Sequence, residues 1–188
     1  NMVSKGLCKY PIAWAAKQAE GMVCDWFVCL TASGGSMRDD NGNWIFNNEN
    51  GVAGLNLMVD SIKNGNADPG SINYTDREVL NPFMAGDIPF VLNWAFAYAL
   101  ADNPEESTIA GNVGIGLIPS NSDGVVSSSV TGGGGFAIAS TSEHPDYAWK
   151  LLENVLSREA LFVSAKTASN APPIRSIYKD EEFIEQFP

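Results

Sequence analysis

The residues of this chain best suited to holding a ligand are three aromatic rings at alternate positions, Trp94, Phe96 and Tyr98, in the stretch Asn93-Trp94-Ala95-Phe96-Ala97-Tyr98. They follow the apolar run Ile88 to Leu92, which reads as a strand entered from the turn Ala85-Gly86-Asp87-Ile88-Pro89. Side chains two apart along a strand share a face, so the three rings form a flat apolar platform at its end. An aromatic face covers the C–H side of a pyranose while nearby polar groups take its hydroxyls, which makes a sugar the soluble ligand that suits such a surface. Half-buried strands also send aromatics into cores, and core packing of all three rings is the competing reading.

The other chemistry-bearing residues fit no catalytic pattern. His144 is the single histidine, placed just before Pro145 where a helix cap is expected, and no Gly-x-Ser-x-Gly elbow supplies a nucleophile for a hydrolase triad. Gly132, Gly134 and Ala137 fit a loose Gly-x-Gly-x-x-Ala, but here it opens a strand, whereas a phosphate cradle must open a helix. The acidic pairs Glu105-Glu106 and Glu181-Glu182 are adjacent residues on polar segments, so they read as solvated faces; a glycosidase needs its carboxyls facing each other across a cleft. Asp39, Asn41 and Asn43 suggest calcium only superficially, because Gly42 falls too early for an EF-hand loop and no later Glu closes it. Cys8, Cys24 and Cys29 have no Cys-x-x-Cys spacing and only one His to join them, so no metal site is expected. They read as small buried hydrophobes, with a disulfide from Cys8 to one of the others as the alternative in an oxidising compartment.

The elements that must position the aromatic block follow from local pattern. Ala16 to Leu30 reads as a helix with Met22, Val23, Trp26, Phe27 and Leu30 on one face, ended by Thr31 to Gly35. Arg38 to Trp44 contains Asn41-Gly42 and reads as a hairpin turn between short strands. Val52, Leu55, Val59 and Ile62 mark a second helix closed by Asn64-Gly65. Thr75-Asp76-Arg77-Glu78 has the capping-box pattern and opens a third helix with Val79, Leu80 and Phe83 inward, bent by Pro82. Val113 to Leu117 and Phe136 to Ala139 read as further strands, and Ser120 to Ser129, rich in Ser, Asn and Gly, as a hinge or linker. Pro145 starts a helix with Ala148, Leu151, Leu152 and Val155 inward; Ser157 caps another from about Arg158, and an acidic helix runs from Asp180 to Phe187.

With 188 residues, 45% of them hydrophobic, the chain can bury a core in one domain or in two small lobes. A formal charge of -11, from 22 acidic against 11 basic residues, disfavours nucleic acid and anionic membrane as partners. No apolar run approaches the roughly 20 residues needed to span a bilayer.

Taken together, ordered matches along nearly the whole chain resemble the substrate-binding proteins of bacterial ABC sugar importers (extracellular solute-binding protein, family 1), particularly the trehalose/maltose-binding type. Trp14 to Cys24 is similar to that family's V-W-Q-x-K-Q-Y-E-G-L-V-C, and Phe83 to Tyr98 to its F-x-x-G-x-x-A followed by R-N-W-P-Y-A-Y. Gly111 to Pro119, Gly132 to Ala139 and His144 to Lys150 follow in the family's order, and Pro173 to Tyr178 is similar to P-x-R-x-x-Y.

The resemblance implies an α/β, type II periplasmic-binding-protein-like fold of two lobes with mixed sheets flanked by helices. Here it is incomplete, as a fragment that lacks the N-terminal part. It places residues 1–119 in the second lobe, 120–171 in the first, and 172–188 back in the second. It implies a non-enzymatic receptor that takes a mono- or oligosaccharide in an interlobe cleft and delivers it to membrane permease subunits. Such a receptor is a monomer with no cofactor, metal or nucleic acid, periplasmic or extracellular, and tethered as a lipoprotein. The ligand contacts it implies are Trp94 as the stacking ring, Tyr98, Phe96 where the family more often has Tyr, and Arg175 as a hydrogen-bonding fork. Gly133 and Gly134 fall on a Gly-Gly-Trp whose tryptophan position is Gly134 here, and Trp14 completes the set. Ala15 and Ala19 stand where the family has Gln and Tyr. A carbohydrate-active enzyme or carbohydrate-binding module, and the same fold holding a peptide or polyol, are the alternative readings.

Overall fold

Alternation along one short extended run organises the first half of the molecule. The computed structural model describes residues 2–120 and 128–186, so most of the expected hinge Ser120 to Ser129 lies outside the described residues. Two compact units are present, the first formed by Asn1–Trp94 with Ala101–Thr131, the second by Ala95–Leu100 with Gly132–Pro188.

In the first unit, strand β1 (Ile12–Ala13) pairs in parallel with β2 (Phe90–Val91), and Ile12 also bridges Ala67 in parallel. Ala13 and Ala15 pack on one side with Val79 and Ile88, while Ile12, Trp14 and Ala16 pack on the other with Cys29, Met58 and Ala67. Period-two alternation thus gives both sides of this run an apolar partner, the pattern of a central parallel strand. Beyond Ala13 the run stays extended because its amides are spent sideways: Ala15 N–H donates to Asp25, Ala16 N–H to the Ser71 carbonyl, and Lys17 N–H to the Tyr74 carbonyl. This delays helix α1, which spans Glu20–Ala32 and does not begin at Ala16. Its expected inward face is also corrected, since Val23 is exposed and Asp25, Val28, Cys29 and Leu30 are buried.

Helix α2 (Glu49–Lys63) is capped by the Asn48 side chain, which accepts the Gly51 N–H, and stops at Asn64 with Gly65 at φ +70°. Its buried face is Gly51, Gly54 and Met58, while Val52 and Leu55 are half exposed. Glycine is required there by close approach: a Cβ on Gly54 would lie 2.7 Å from the Leu30 nitrogen of α1. The Arg38–Trp44 turn closes with a single antiparallel bridge between its ends, and among the described residues the short strands expected on either side of it do not form. The Asn43 side-chain amide donates to Asp39 Oδ2 and the backbone N–H groups of Asn43 and Asn41 to Oδ1, and these bonds hold the Asp39 carboxyl below the usual range.

The capping box is reciprocal. Thr75 N–H donates to Glu78 Oε2 at 2.8 Å and Glu78 N–H to Thr75 Oγ1 at 3.3 Å, ahead of the short helix α3 (Leu80–Met84). Val79 and Leu80 are buried and Phe83 packs beside them.

In the second unit, helix α4 covers Phe96–Ala101, the last residue of which groups with the first unit. Helices α5 (Pro145–Val155) and α6 (Arg158–Ala168) begin as expected, with Pro145 in the first turn of α5 and the Ser157 hydroxyl accepting the Ala160 N–H. His144 precedes α5, but its side chain makes no capping bond. The core of this unit is Leu161, Phe162, Ala165, Ile177 and Phe183, the last from α7 (Glu181–Gln186). Arg158 joins α6 to α7 by bonds to Asp180 and Glu182 and lies over the Phe162 ring. The expected inward face of α5 is open among the described residues: Leu151 and Val155 are exposed, with only Ala148 and Leu152 half-buried. Residues 113–117 and 136–139 likewise have no sheet partner among the described residues, and Leu117 is 99% exposed.

Candidate functional site

The aromatic stretch does not continue β2. The strand ends at Val91, residues 92–94 are loop, and α4 takes over at Phe96. The expected one-sided strand platform is therefore corrected: at about 100° per residue, Phe96 and Tyr98 lie on different sides of a helix. Trp94, half-buried, belongs to the first unit; Phe96, half-buried, and Tyr98, 40% exposed, belong to the second.

Polar contacts run from the Trp94 backbone through Asn93 to the capping-box turn, which Lys17 and the buried Asp25 join. Asn93 Nδ2 donates to the Asp76 carbonyl in the capping-box turn, and Asn93 Oδ1 accepts the Trp94 N–H at 2.8 Å. Lys17, just past β1, reaches Glu78 of the same turn at 3.4 Å. From α1, buried Asp25 accepts the Ala15 N–H at 2.9 Å. Burial pushes the Asp25 carboxyl up to about 6, with the Asp76 charge adding to the rise and the Ala15 bond opposing it. Gly21 also meets this cluster, since a Cβ there would lie 3.2 Å from Ala15 Cβ and 3.5 Å from the Asp76 nitrogen.

Trp14 is 5% exposed and fully used in the first unit's core. Its backbone N–H goes to Ser71 Oγ and its indole N–H to Ser61 Oγ at 2.8 Å, which in turn donates to the Met58 carbonyl. Arg175, Gly133 and Gly134 belong to the second unit and are exposed. Side chains at either glycine would meet nothing within 4 Å. Arg175 sits in a turn held by Ile177 N–H to the Ile174 carbonyl and by Tyr178 Oη to the Pro172 carbonyl. Burial pushes the Cys29 thiol up to about 12, Asp25 adding, and the three cysteines are unbridged. Among the described residues no cluster of His, Cys, Asp and Glu could hold a metal ion.

Sequence reading missed Asn93, Asp76 and Asp25 as parts of one cluster. The available signal was Asp25 itself, a lone charge within the apolar run Met22 to Leu30.

This architecture is that of the type II periplasmic-binding-protein-like solute receptors. The sequence matches the family model described as bacterial extracellular solute-binding protein over residues 8–161, and the chain belongs to that family. It is 31% identical to a probable ABC transporter-binding protein of Deinococcus radiodurans, over 92% of this chain and 40% of that protein. Its structure superposes on maltose-bound MalE3 of T. maritima with a TM-score of 0.87 at 28% identity, covering 100% of this chain and 48% of that one. A solute-binding protein of Agrobacterium radiobacter in complex with ribitol shares the fold, with a TM-score of 0.80 at 22% identity over 98% of this chain and 46% of that one. The chain thus spans less than half the length of these relatives.

Proposed function

We propose that this chain is part of the substrate-binding component of an ABC importer. It binds a mono- or oligosaccharide and presents it to membrane permease subunits, as a monomer outside the cytoplasmic membrane and tethered to it. The observation that carries the proposal is its whole-length likeness, at 28% identity, to a receptor whose structure holds maltose. Trp94 is the ring proposed to stack on the sugar, with Tyr98, Phe96, Gly133, Gly134 and Arg175 as further contacts and Trp14 supporting from the core. The resemblance divides the intact protein into one lobe of residues 1–119 and 172–188 and another of 120–171, although Ile177 and Phe183 share a core with Leu161, Phe162 and Ala165.

Binding without turnover is supported by the acidic residues. Glu105, Glu106, Glu181 and Glu182 are exposed, and Glu182 is engaged with Arg158. The formal charge of -11 supports a partner that is not nucleic acid. Titrating the full-length protein with a panel of sugars and polyols under Trp fluorescence tests the reading. A saturable change with a saccharide is expected; turnover of the sugar, or silence across the panel, would overturn it.

A further inference from the structure

Trp94 is tied to the rest of the first unit through the Asn93 side-chain amide. The turn that leads into α3 is wound tightly, with Leu80 N–H donating to the Arg77 carbonyl and Asn81 N–H to the Glu78 carbonyl, each three residues back. The carbonyl of Asp76 is thereby left to an outside donor, and Asn93 Nδ2 supplies it from 17 residues away. The same amide uses its oxygen to accept the Trp94 N–H. An amide is the side chain that can do both, since it carries a donor pair and an acceptor on one planar group. The turn it grips is itself fixed twice, by the reciprocal Thr75–Glu78 bonds and by the Lys17–Glu78 contact.

From this geometry we infer that Asn93 is a positioning residue for ligand binding, holding the Trp94 backbone against the turn ahead of α3 so that the indole is presented from a fixed backbone. The inference rests on the proposed stacking role of Trp94. Asn93 need not touch the ligand. Its effect is to remove the freedom that Trp94 would otherwise lose on binding, and pre-organised groups bind more tightly for that reason.

The experiment uses the full-length protein in five forms: wild type, Asn93→Ala, Asn93→Asp, Trp94→Phe and the double variant Asn93→Ala/Trp94→Phe. The emission of Trp94 alone is obtained without ligand by subtracting the Trp94→Phe spectrum from wild type, and the double variant from Asn93→Ala. With Asn93→Ala this difference spectrum should shift to the red and be quenched more by iodide, while circular dichroism is unchanged. Asn93→Asp keeps the acceptor for Trp94 N–H but loses the donor to Asp76, and should be intermediate. Maltose, or the sugar that responds best in the panel, should bind Asn93→Ala roughly tenfold more weakly. In the Trp94→Phe background the same change should cost less, because the ring being positioned is altered. An unchanged Trp94 difference spectrum would overturn the positioning role whatever the ligand. An altered spectrum with unchanged sugar affinity in Asn93→Ala would overturn its role in binding, and unchanged affinity in Trp94→Ala, measured alongside, would overturn the stacking role on which the inference rests.

Discussion

Asp25 of α1 accepts the backbone N–H of Ala15 at 2.9 Å within the first unit, at 7% exposure. One hydrogen bond does not offset the loss of water around the charge, so its carboxyl rises from 3.8 to about 6. The neighbouring charge is Asp76 of the capping-box turn, which raises it further.

A carboxyl that titrates near 6 when folded and near 3.8 when unfolded binds its proton more tightly in the folded state. Its contribution to stability is complete below the unfolded value and is lost as pH rises through about 6. Full ionisation costs about 3 kcal/mol at most, since each tenfold difference in proton affinity is worth about 1.4 kcal/mol. Asp25→Asn keeps an oxygen for the Ala15 N–H and has no charge to bury. Its stability minus that of wild type, from urea melts between pH 4 and 7.5, should rise with pH in favour of the variant. A difference that stays flat would show that Asp25 ionises normally.

Gly54→Ala should destabilise the protein by roughly 1–3 kcal/mol although alanine is the better helix former. The added carbon would lie 2.7 Å from the Leu30 nitrogen and 2.9 Å from its Cα, so backbone must move and α1 and α2 must part. Thermal melts of the full-length protein measure it. A variant as stable as wild type would mean that the two helices are not in contact there.

Thr75→Ala removes the hydroxyl that accepts the amide three residues on, at a cost of about 1 kcal/mol, and Thr75→Ser should restore it. Because this turn also presents the Asp76 carbonyl to Asn93, Thr75→Ala should shift Trp94 emission as well. Loss of stability with unchanged emission would separate the cap from the aromatic stretch.

What could be read from the sequence was what is local. The Thr75–Glu78 box, the Ser157 cap, Pro145 at the head of α5 and the Asn64-Gly65 stop each depend on residues a few positions apart, and each forms where its residues predict, although the helix after the box begins only at Leu80. What failed depended on partners. The buried face of α2 is set by how closely Leu30 approaches Gly54, so glycines are inside and Val52 and Leu55 are not. Alternating aromatics fit a strand and fit the loop and helix turn that occur, because six residues do not fix a period. Leu117, Leu151 and Val155 follow strand and helix patterns faithfully and still face outward among the described residues. The family was legible because its matches are ordered along the chain, whereas the cluster of Asp25, Asp76 and Asn93 is assembled from α1, the α3 turn and the loop after β2.

Whether this chain contributes the stacking half of a saccharide site through Trp94 is decided by calorimetric titration of full-length wild type and Trp94→Ala with maltose and the other sugars of the panel. Saturable binding by wild type and a loss on the order of 10- to 100-fold in Trp94→Ala are expected, with the fold retained. Equal affinities in the two proteins, or no heat from any saccharide with wild type, would contradict that contribution.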